Sequence, residues 1–521
     1  MVIYEENHSF DNLFGGWEHV DGLAGARPQQ QVAPDNTPLE CLPQNDVNLT
    51  SPPLPVRCTG TAAGQPVSSA FRNRPFLIDG YIAPQDTTCP APGQFAANGI
   101  PKGQGLPGGC TRDLVHRYYQ EQYQINGGRM NRYVAGSDAT GLVMGYYDTR
   151  GLPIYEYLHG RHAPHYVVAD RLFQGAFGGS FLNHQWLITP HTPTWPGAVR
   201  DGGADDLHSV VGPDGYPAAV PLHPASPGVR DQALTQAASP DGSCAVPAGV
   251  APPPAGTACG DYAINTIQPP YQPYAPGTPQ ARRLPAQTTP TIGDRLSGAG
   301  VDWAWYSGGW DNANGDVGGP GWTNGATPGV CTNPRTAANS VYPYCPDATF
   351  QYHHQPLNYY ASFAPGTPAR AAHLRDEVEF VAAAKAGRLK PVSIIKPVGE
   401  ENEHPGYASE DTGSRHLVDL IKAVENGPDA DSTMIVVTYD EFGGQWDHVA
   451  PPAGRHGVSD QWGPGTRIPA LLISPQLRHR FAVDHTSYDT TSIMATIEAR
   501  FRLAPLGTRD AAVRNLFTTL H

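Results

Sequence analysis

No run of basic residues occurs in this 521-residue chain, and its net charge is -14. A polyanion such as nucleic acid is therefore a poor partner, although a local basic pocket for one small phosphate is not excluded. No stretch of about 18 apolar residues is present, so nothing in the sequence reads as a membrane span. None of the eight cysteines stands in a C-x-x-C pair, which argues against a zinc ribbon or a thioredoxin-like centre. Charged residues make up only 16% of the chain, and neither repeats nor a low-complexity tail is found. A signal-peptide pattern is missing too. The chain nevertheless opens inside an apolar run, Met1 to Tyr4, that reads as a buried strand, so the expectation is that an N-terminal segment such as a secretory leader has been removed.

What the chain has in excess is loop. Gly (58) and Pro (54) together exceed a fifth of the residues. Two tracts, 22–109 and 201–290, are crowded with Pro, Gly and polar residues and read as insertions; they hold five of the eight cysteines, and Cys110 borders the first. The cysteines fall as near neighbours, Cys41/Cys58, Cys89/Cys110, Cys244/Cys259 and Cys331/Cys345. Four local disulfides are the simplest reading, and they would stabilise loops with no core of their own. Disulfides point to a secreted or periplasmic location; eight reduced thiols would leave the pairing unexplained.

Outside the insertions the pattern is β/α. His116 to Met130 and Ala371 to Ala386 read as helices, Tyr166 to Asp170 as a strand, Val392 to Lys396 as a strand, and His416 to Asn426 as a helix stopped by Gly427-Pro428. Met434 to Thr438 and Ile468 to Ser474 read as buried strands, and Thr490 to Phe501 as a closing helix. Short apolar strands joined through helices predict a three-layer α/β sandwich around a central, mostly parallel sheet. Ligands of such sheets sit beyond the carboxyl ends of the strands, which gives weight to the residues just after each strand.

Three such places carry chemistry. The first strand runs into Glu5-Glu6-Asn7, and Met434 to Thr438 runs through Tyr439 into Asp440-Glu441 followed by Gly443-Gly444. Hard oxygen donors of this kind can hold a cation, although an acidic turn capping a helix is an equal alternative. Because side chains alternate near a strand end, Glu6 and Asn7 are expected in the site while Glu5 and His8 point elsewhere. The third place is Ser180, after Gly178-Gly179 at the start of a predicted helix: exposed amides and a nearby cation would suit a serine nucleophile, whereas a bare N-cap serine only satisfies amides. Of the 20 histidines, His116, His353, His354 and His404 stand in patterned contexts and are candidates to ring a phosphate.

Taken in order, E-E-N-H-S-F-D-N-L-F-G, F-G-G-S-F-L-N-H-Q-W, G-E-E-N-E-H-P-G, T-Y-D-E-F-G-G-Q-W-D-H-V-A-P-P and D-Q-W-G-P-G-T-R-I-P-A-L-L-I-S-P resemble the bacterial phosphoesterase family of acid phosphatases and phospholipases C. The resemblance implies a single alkaline phosphatase-like catalytic domain over 1–521 with the two insertions inside it. It implies Ser180 as nucleophile, forming a phosphoserine intermediate, and one divalent metal ion held by Glu6, Asn7, Ser180, Asp440 and Glu441. His116, His353, His354 and His404 would line the phosphate pocket with Asn7, the matches at His116 and His353-His354 being shifted by insertions. The family's phospholipases tend to carry Thr at the nucleophile position, so Ser180 tilts the expectation to an acid phosphatase acting on small phosphate monoesters. A phospholipase C acting on phospholipid is the alternative within that family. A metal-stabilised secreted binding protein, in which the acids hold a structural ion, is the alternative of another class. No signal for an oligomeric state is visible.

Overall fold

The structure is a computed structural model that describes residues 1–43, 55–62, 64–80, 84, 88–89, 106–107, 113–137, 140–196, 262–264, 271–325, 327–453 and 458–520. Its centre is an eight-stranded sheet made of β1 (Val2–Glu5), β2 (Tyr166–Ala169), β3 (Trp303–Ser307), β4 (Leu374–Asp376), β5 (Val392–Lys396), β6 (Ile435–Tyr439), β7 (Ala470–Ile473) and β8 (Phe481–Asp484). The spatial order is β4-β3-β5-β1-β6-β7-β2-β8. Five of the seven pairings are parallel; β7 alone runs against both its neighbours, β6 and β2. Every residue of β1, β5 and β6 is buried, which is why these strands are mainly apolar on both faces rather than alternating, with Glu5, Ser393, Lys396 and Thr438 as buried polar exceptions.

Both faces are covered. Six helices matter here: α1 (Phe10–Leu13), α2 (Tyr118–Ile125), α3 (Ser180–Ile188), α4 (Glu377–Lys385), α5 (Glu410–Glu425) and α6 (Thr491–Phe501). Tyr4 of β1 sends its hydroxyl to the Asn183 carbonyl of α3 at 3.2 Å, and its ring packs edge-on against His184. On the opposite face α4 packs against α5, and α6 lies against α3 on the first face. The core formed between these layers is built largely from Val, Ile, Leu and aromatic side chains.

Several elements differ from the sequence reading for identifiable reasons. Residues 371–386 are not one helix: Pro368–His373 ends, β4 intervenes, and Asp376 then caps α4 by accepting from the Val378 amide at 3.2 Å. The helix foreseen over 116–130 is only Tyr118–Ile125, because Asn126 adopts a left-handed conformation that closes it. Helix α5 begins six residues earlier than its apolar pattern, with Ser409 accepting from the Thr412 amide at 3.1 Å and Glu410 and Asp411 in the first turn. In α6 the capping oxygen belongs to Asp489, which accepts from the Thr491 amide at 2.7 Å. Disulfides Cys41–Cys58 and Cys331–Cys345 form as expected. Cys110, Cys244 and Cys259, and most of the two insertions, lie outside the described residues.

Candidate active site

Strand register brings the two acidic turns side by side. Glu5 pairs with Tyr439, and the Asp440 amide donates to the Glu5 carbonyl at 3.1 Å, so β1 and β6 release their chains at the same level. One carboxylate oxygen of Asp440 then accepts from the amides of Asn7 (3.0 Å) and Glu441 (2.8 Å), tying the turns together. Gly443 makes this approach possible: its φ is +61°, and a Cβ there would collide with the Asn7 carbonyl.

Ser180 enters from α3. Gly179 is the N-cap residue and Ser180 the first helical residue, so its hydroxyl is not consumed by capping and points out of the helix start. Its Oγ donates to Glu6 Oε2 at 3.1 Å and lies 3.5 Å from Asn7 Oδ1 and 3.4 Å from Glu441 Oε1. Gly178, with φ +90°, lets the turn pass so close to α2 that a Cβ would strike the Tyr118 amide. The five residues expected to share an ion, Glu6, Asn7, Ser180, Asp440 and Glu441, therefore converge, all of them buried.

Histidines close the other side. His116 Nε2 lies 3.4 Å from Glu441 Oε1, His354 Nε2 lies 3.2 Å from Glu6 Oε1, and His404 Nε2 lies 4.0 Å from Glu6 Oε2. His353 pairs with none of these carboxylates among the described residues; its ring rests against His354 and His184, with centroids 4.5 and 6.0 Å away. Glu5 and His8 turn away as expected, though not by alternation alone, which would set Asn7 with Glu5; the chain leaves the strand after Glu5 and Asn7 takes a φ of +58°. Glu5 interacts with Glu403, Lys396, His416 and Glu377, and His8 bonds Asn12 and the Glu403 carbonyl.

Two residues were not foreseen. His184, one turn after Ser180, donates through Nδ1 to the Ser180 carbonyl (2.8 Å) and directs Nε2 to within 3.6 Å of Glu6 Oε1. Lys396, the last residue of β5, contacts Glu6 Oε1 directly and donates to the carbonyls of Tyr4 (3.0 Å) and Glu5 (3.3 Å). Both signals were in the sequence: a histidine at i+4 from the serine shares its helix face, and a lysine closing an apolar strand must find an acceptor.

The electrostatics are those of a crowded acidic centre. Burial, then the Asp440 charge, pushes the Glu6 and Glu441 carboxyls well above the usual range, against the pull of Lys396 on Glu6. Burial holds His184, His354 and His404 well below their usual value and His353 at about 3, so these imidazoles are neutral. Asn7 Nδ2, Asp440 Oδ2 and the Nε2 atoms of His184 and His354 are buried without hydrogen-bond partners. Glu6, His184 and His354 bring ligand atoms within 4.8 Å of one another. Orphaned donor atoms around excess negative charge fit a hard or borderline divalent cation held by the oxygens of Glu6, Asn7, Ser180, Asp440 and Glu441. Two other acid and histidine groups also lie close: Asp11-Asp447-His448 is satisfied by Arg467, and Glu377-Glu401-His416 is an ion-pair cluster behind β1.

Against known proteins, the model of the Phosphoesterase family matches residues 1–504. The chain belongs to the Phosphoesterase family. Curated relatives within reach include phospholipase C B of Mycobacterium tuberculosis, 32% identical over 28% of this chain and 32% of that protein. A non-hemolytic phospholipase C of Burkholderia pseudomallei is 33% identical over 22% and 20%, and non-specific phospholipase C6 of Arabidopsis thaliana is 27% identical over 26% and 31%. The chain thus matches a fifth to a third of the length of these relatives. Among solved structures, a protein in the alkaline phosphatase superfamily from Vibrio parahaemolyticus aligns over 44% of this chain and 52% of that one (15% identity, TM-score 0.23). A 2-O GAG sulfatase, BT1596, aligns over 73% and 71% (11% identity, TM-score 0.28). At such scores the superpositions carry no argument, and the fold is that of the chain's own eight-stranded sheet.

Proposed function

We propose that this phosphoesterase is a secreted or periplasmic acid phosphatase that hydrolyses small phosphate monoesters with broad specificity through a phosphoserine intermediate. The observation that carries the reading is the position of Ser180 Oγ, at the start of α3 and within 3.1 to 3.5 Å of Glu6, Asn7 and Glu441. A divalent ion bound by Glu6, Asn7, Ser180, Asp440 and Glu441 would lower the pKa of the hydroxyl and neutralise phosphoryl charge. Ser180 Oγ gives up its proton and bonds to phosphorus as the bond to the ester oxygen breaks, and the leaving oxygen takes a proton. Water then attacks phosphorus, the bond to Ser180 Oγ breaks, and Oγ is reprotonated as inorganic phosphate leaves. Neutral His353 and His354 each keep one ring N–H that can serve a phosphoryl oxygen, whereas His404 and His116 donate Nδ1–H to the Pro405 and Leu114 carbonyls and donate through Nε2 only as imidazolium; the first-turn amides of α3 add positive field.

Disulfides Cys41–Cys58 and Cys331–Cys345 support the oxidising location. Phospholipase C activity is the second reading, favoured by the names of the curated relatives. Ser180→Ala tests the first: it is expected to abolish release of p-nitrophenol from p-nitrophenyl phosphate in a protein that keeps its circular dichroism, and retained turnover would remove Ser180 from the nucleophile role. A panel of p-nitrophenyl phosphate against p-nitrophenyl phosphorylcholine across pH 4 to 9 separates monoesterase from phospholipase C.

A further inference from the structure

A fully buried carboxylate outside the ion site holds the nucleophile turn. Glu121, on α2, accepts four hydrogen bonds: Oε2 from the Gly178 amide at 2.6 Å and from Gln174 Nε2 at 2.9 Å, and Oε1 from the Thr466 amide at 2.6 Å and the Thr466 hydroxyl at 2.8 Å. Gln174 extends the reach. Its Nε2 also donates to the carbonyls of Ala176 (2.7 Å) and Gly178 (2.9 Å), while its Oε1 accepts from the Phe442 amide at 3.0 Å, next to Glu441. One side-chain pair therefore bonds the turn that aims Ser180, the loop at Thr466 and the turn that carries Glu441. Neither residue contacts Ser180 Oγ or the other site side chains through any of these bonds.

We propose that Glu121, through Gln174, is a positioning residue that fixes Ser180 relative to Asp440-Glu441; this rests on the reading of Ser180 as nucleophile. The physical reason lies in the donors. All four point at the two oxygens, so the ionised carboxylate satisfies them all, against the burial that raises its pKa to about 8. Glu121→Gln has the same shape but must turn its NH2 group either on the Thr466 amide or on the Gly178 amide and Gln174, opposing donor to donor; only the Thr466 hydroxyl can reverse and accept. Misplacement of a nucleophile by about 1 Å costs on the order of 100-fold in rate, whereas binding of the phosphoryl group by the remaining residues is left in place.

The test compares the wild type, Glu121→Gln and a control, Gln31→Ala, which removes a buried side chain that also accepts from backbone amides, at Tyr133 and Val134, but has no bond to the Ser180 turn. For Glu121→Gln, kcat for p-nitrophenyl phosphate is expected to fall roughly 10- to 100-fold while KM and inhibition by inorganic phosphate move less than about threefold. Amide hydrogen exchange should lose protection at Gly178, Thr466 and Phe442 together. Gln31→Ala should lower the thermal midpoint with kcat unchanged. The proposal is overturned if Glu121→Gln keeps kcat within about threefold of wild type, if its loss of kcat comes without loss of protection at those three amides, or if Gln31→Ala loses kcat equally. Ser180→Ala run in parallel isolates the nucleophile reading: turnover by that variant refutes it, while the exchange data still judge the clamp.

Discussion

Replacing Lys396 by Met probes how the buried charges of the site are balanced. The ammonium is fully buried, contacts Glu6 Oε1, and donates to the Tyr4 and Glu5 carbonyls. Met fills nearly the same volume, so packing changes little and the charge is what is removed. Removing one partner of a buried ion pair costs roughly 3–5 kcal/mol, because the other charge is left uncompensated. At roughly 2.1 cal/mol/K of unfolding entropy per residue, each kcal/mol moves the midpoint of a chain of this size by only about 1 °C, so metal-free Lys396→Met should melt on the order of 3–5 °C below the metal-free wild type. A divalent cation at Glu6 would supply the missing positive charge, so the penalty shrinks once the ion is bound. Reciprocity of linkage then requires that the variant bind the ion more tightly, by about tenfold for each 1.4 kcal/mol recovered. The assay is thermal unfolding with EDTA and with saturating Mn2+, joined to calorimetric titration of both proteins. A metal-free midpoint within about 1 °C of wild type would refute the charge argument, since that is no more than the shift expected for about 1 kcal/mol in a chain of this length. An equal gap with and without the ion would show that Lys396 and the cation do not act on the same carboxylate.

Asp440→Asn and Glu6→Gln should each cut turnover of p-nitrophenyl phosphate by about a thousandfold or more, and elemental analysis should find an ion in the wild type that both variants lose; loss of activity with full metal content would separate catalysis from metal binding. Mass mapping without reductant should return Cys41–Cys58 and Cys331–Cys345 together with Cys89–Cys110 and Cys244–Cys259, and free thiols throughout would defeat the oxidising location. Removing the Cys331–Cys345 link, which spans 14 residues, should lower stability to denaturant by roughly 3 kcal/mol. Affinity for the divalent ion should weaken as pH falls, because Glu6 and Glu441 have carboxyl pKa values raised by burial and by Asp440, and protons compete with the ion for them. Calorimetry at pH 5, 6 and 7 checks this, and an affinity independent of pH would mean that the bare site is already fully ionised.

Much of this centre was legible because strand ends are punctuation. Glu6-Asn7 and Asp440-Glu441 each follow an unbroken buried strand, and a polar pair there has few structural uses, so both could be picked out before any geometry was known. Ser180 was legible through the glycines that precede it, since positive φ at Gly178 announces a backbone bent for close approach. Direction was not: Ile468 to Ser474 has the apolar run of a buried strand, and such a run is the same read either way, so the antiparallel pairing of β7 with β6 and β2 stayed hidden. Residues 371–386 misled because Leu374, Val378 and Val381 keep a helical spacing across what is a strand and a cap; the Asp376 side chain, not hydrophobicity, decides the break. Glu121 was passed over because its work is done on backbone amides 50 or more residues away, which no local pattern encodes.

Lys396 shows why charge, rather than residue type, is the deeper regularity of this site. Glu6, Asp440 and Glu441 are fully buried and carry up to three negative charges, while among the described residues the one ammonium in contact with them is Lys396, which leaves an excess of up to two. Four of the five histidines cannot make up the difference, since burial keeps His184, His353, His354 and His404 from protonating and the Lys396 charge adds to that penalty, and the fifth, His116 beside Glu441, has room for one charge at most. A bare site must therefore either hold protons on Glu6 and Glu441 or accept a divalent cation, which cancels the excess of two. The same balance fixes the order of events: an ion that has displaced those protons leaves Glu6 ionised beside Ser180 Oγ, ready to accept the hydroxyl hydrogen bond, whereas a protonated Glu6 would compete with Ser180 as a donor. The Lys396 ammonium sits on the same carboxylate, so the arriving cation completes the balance beside it instead of having to supply all of the positive charge.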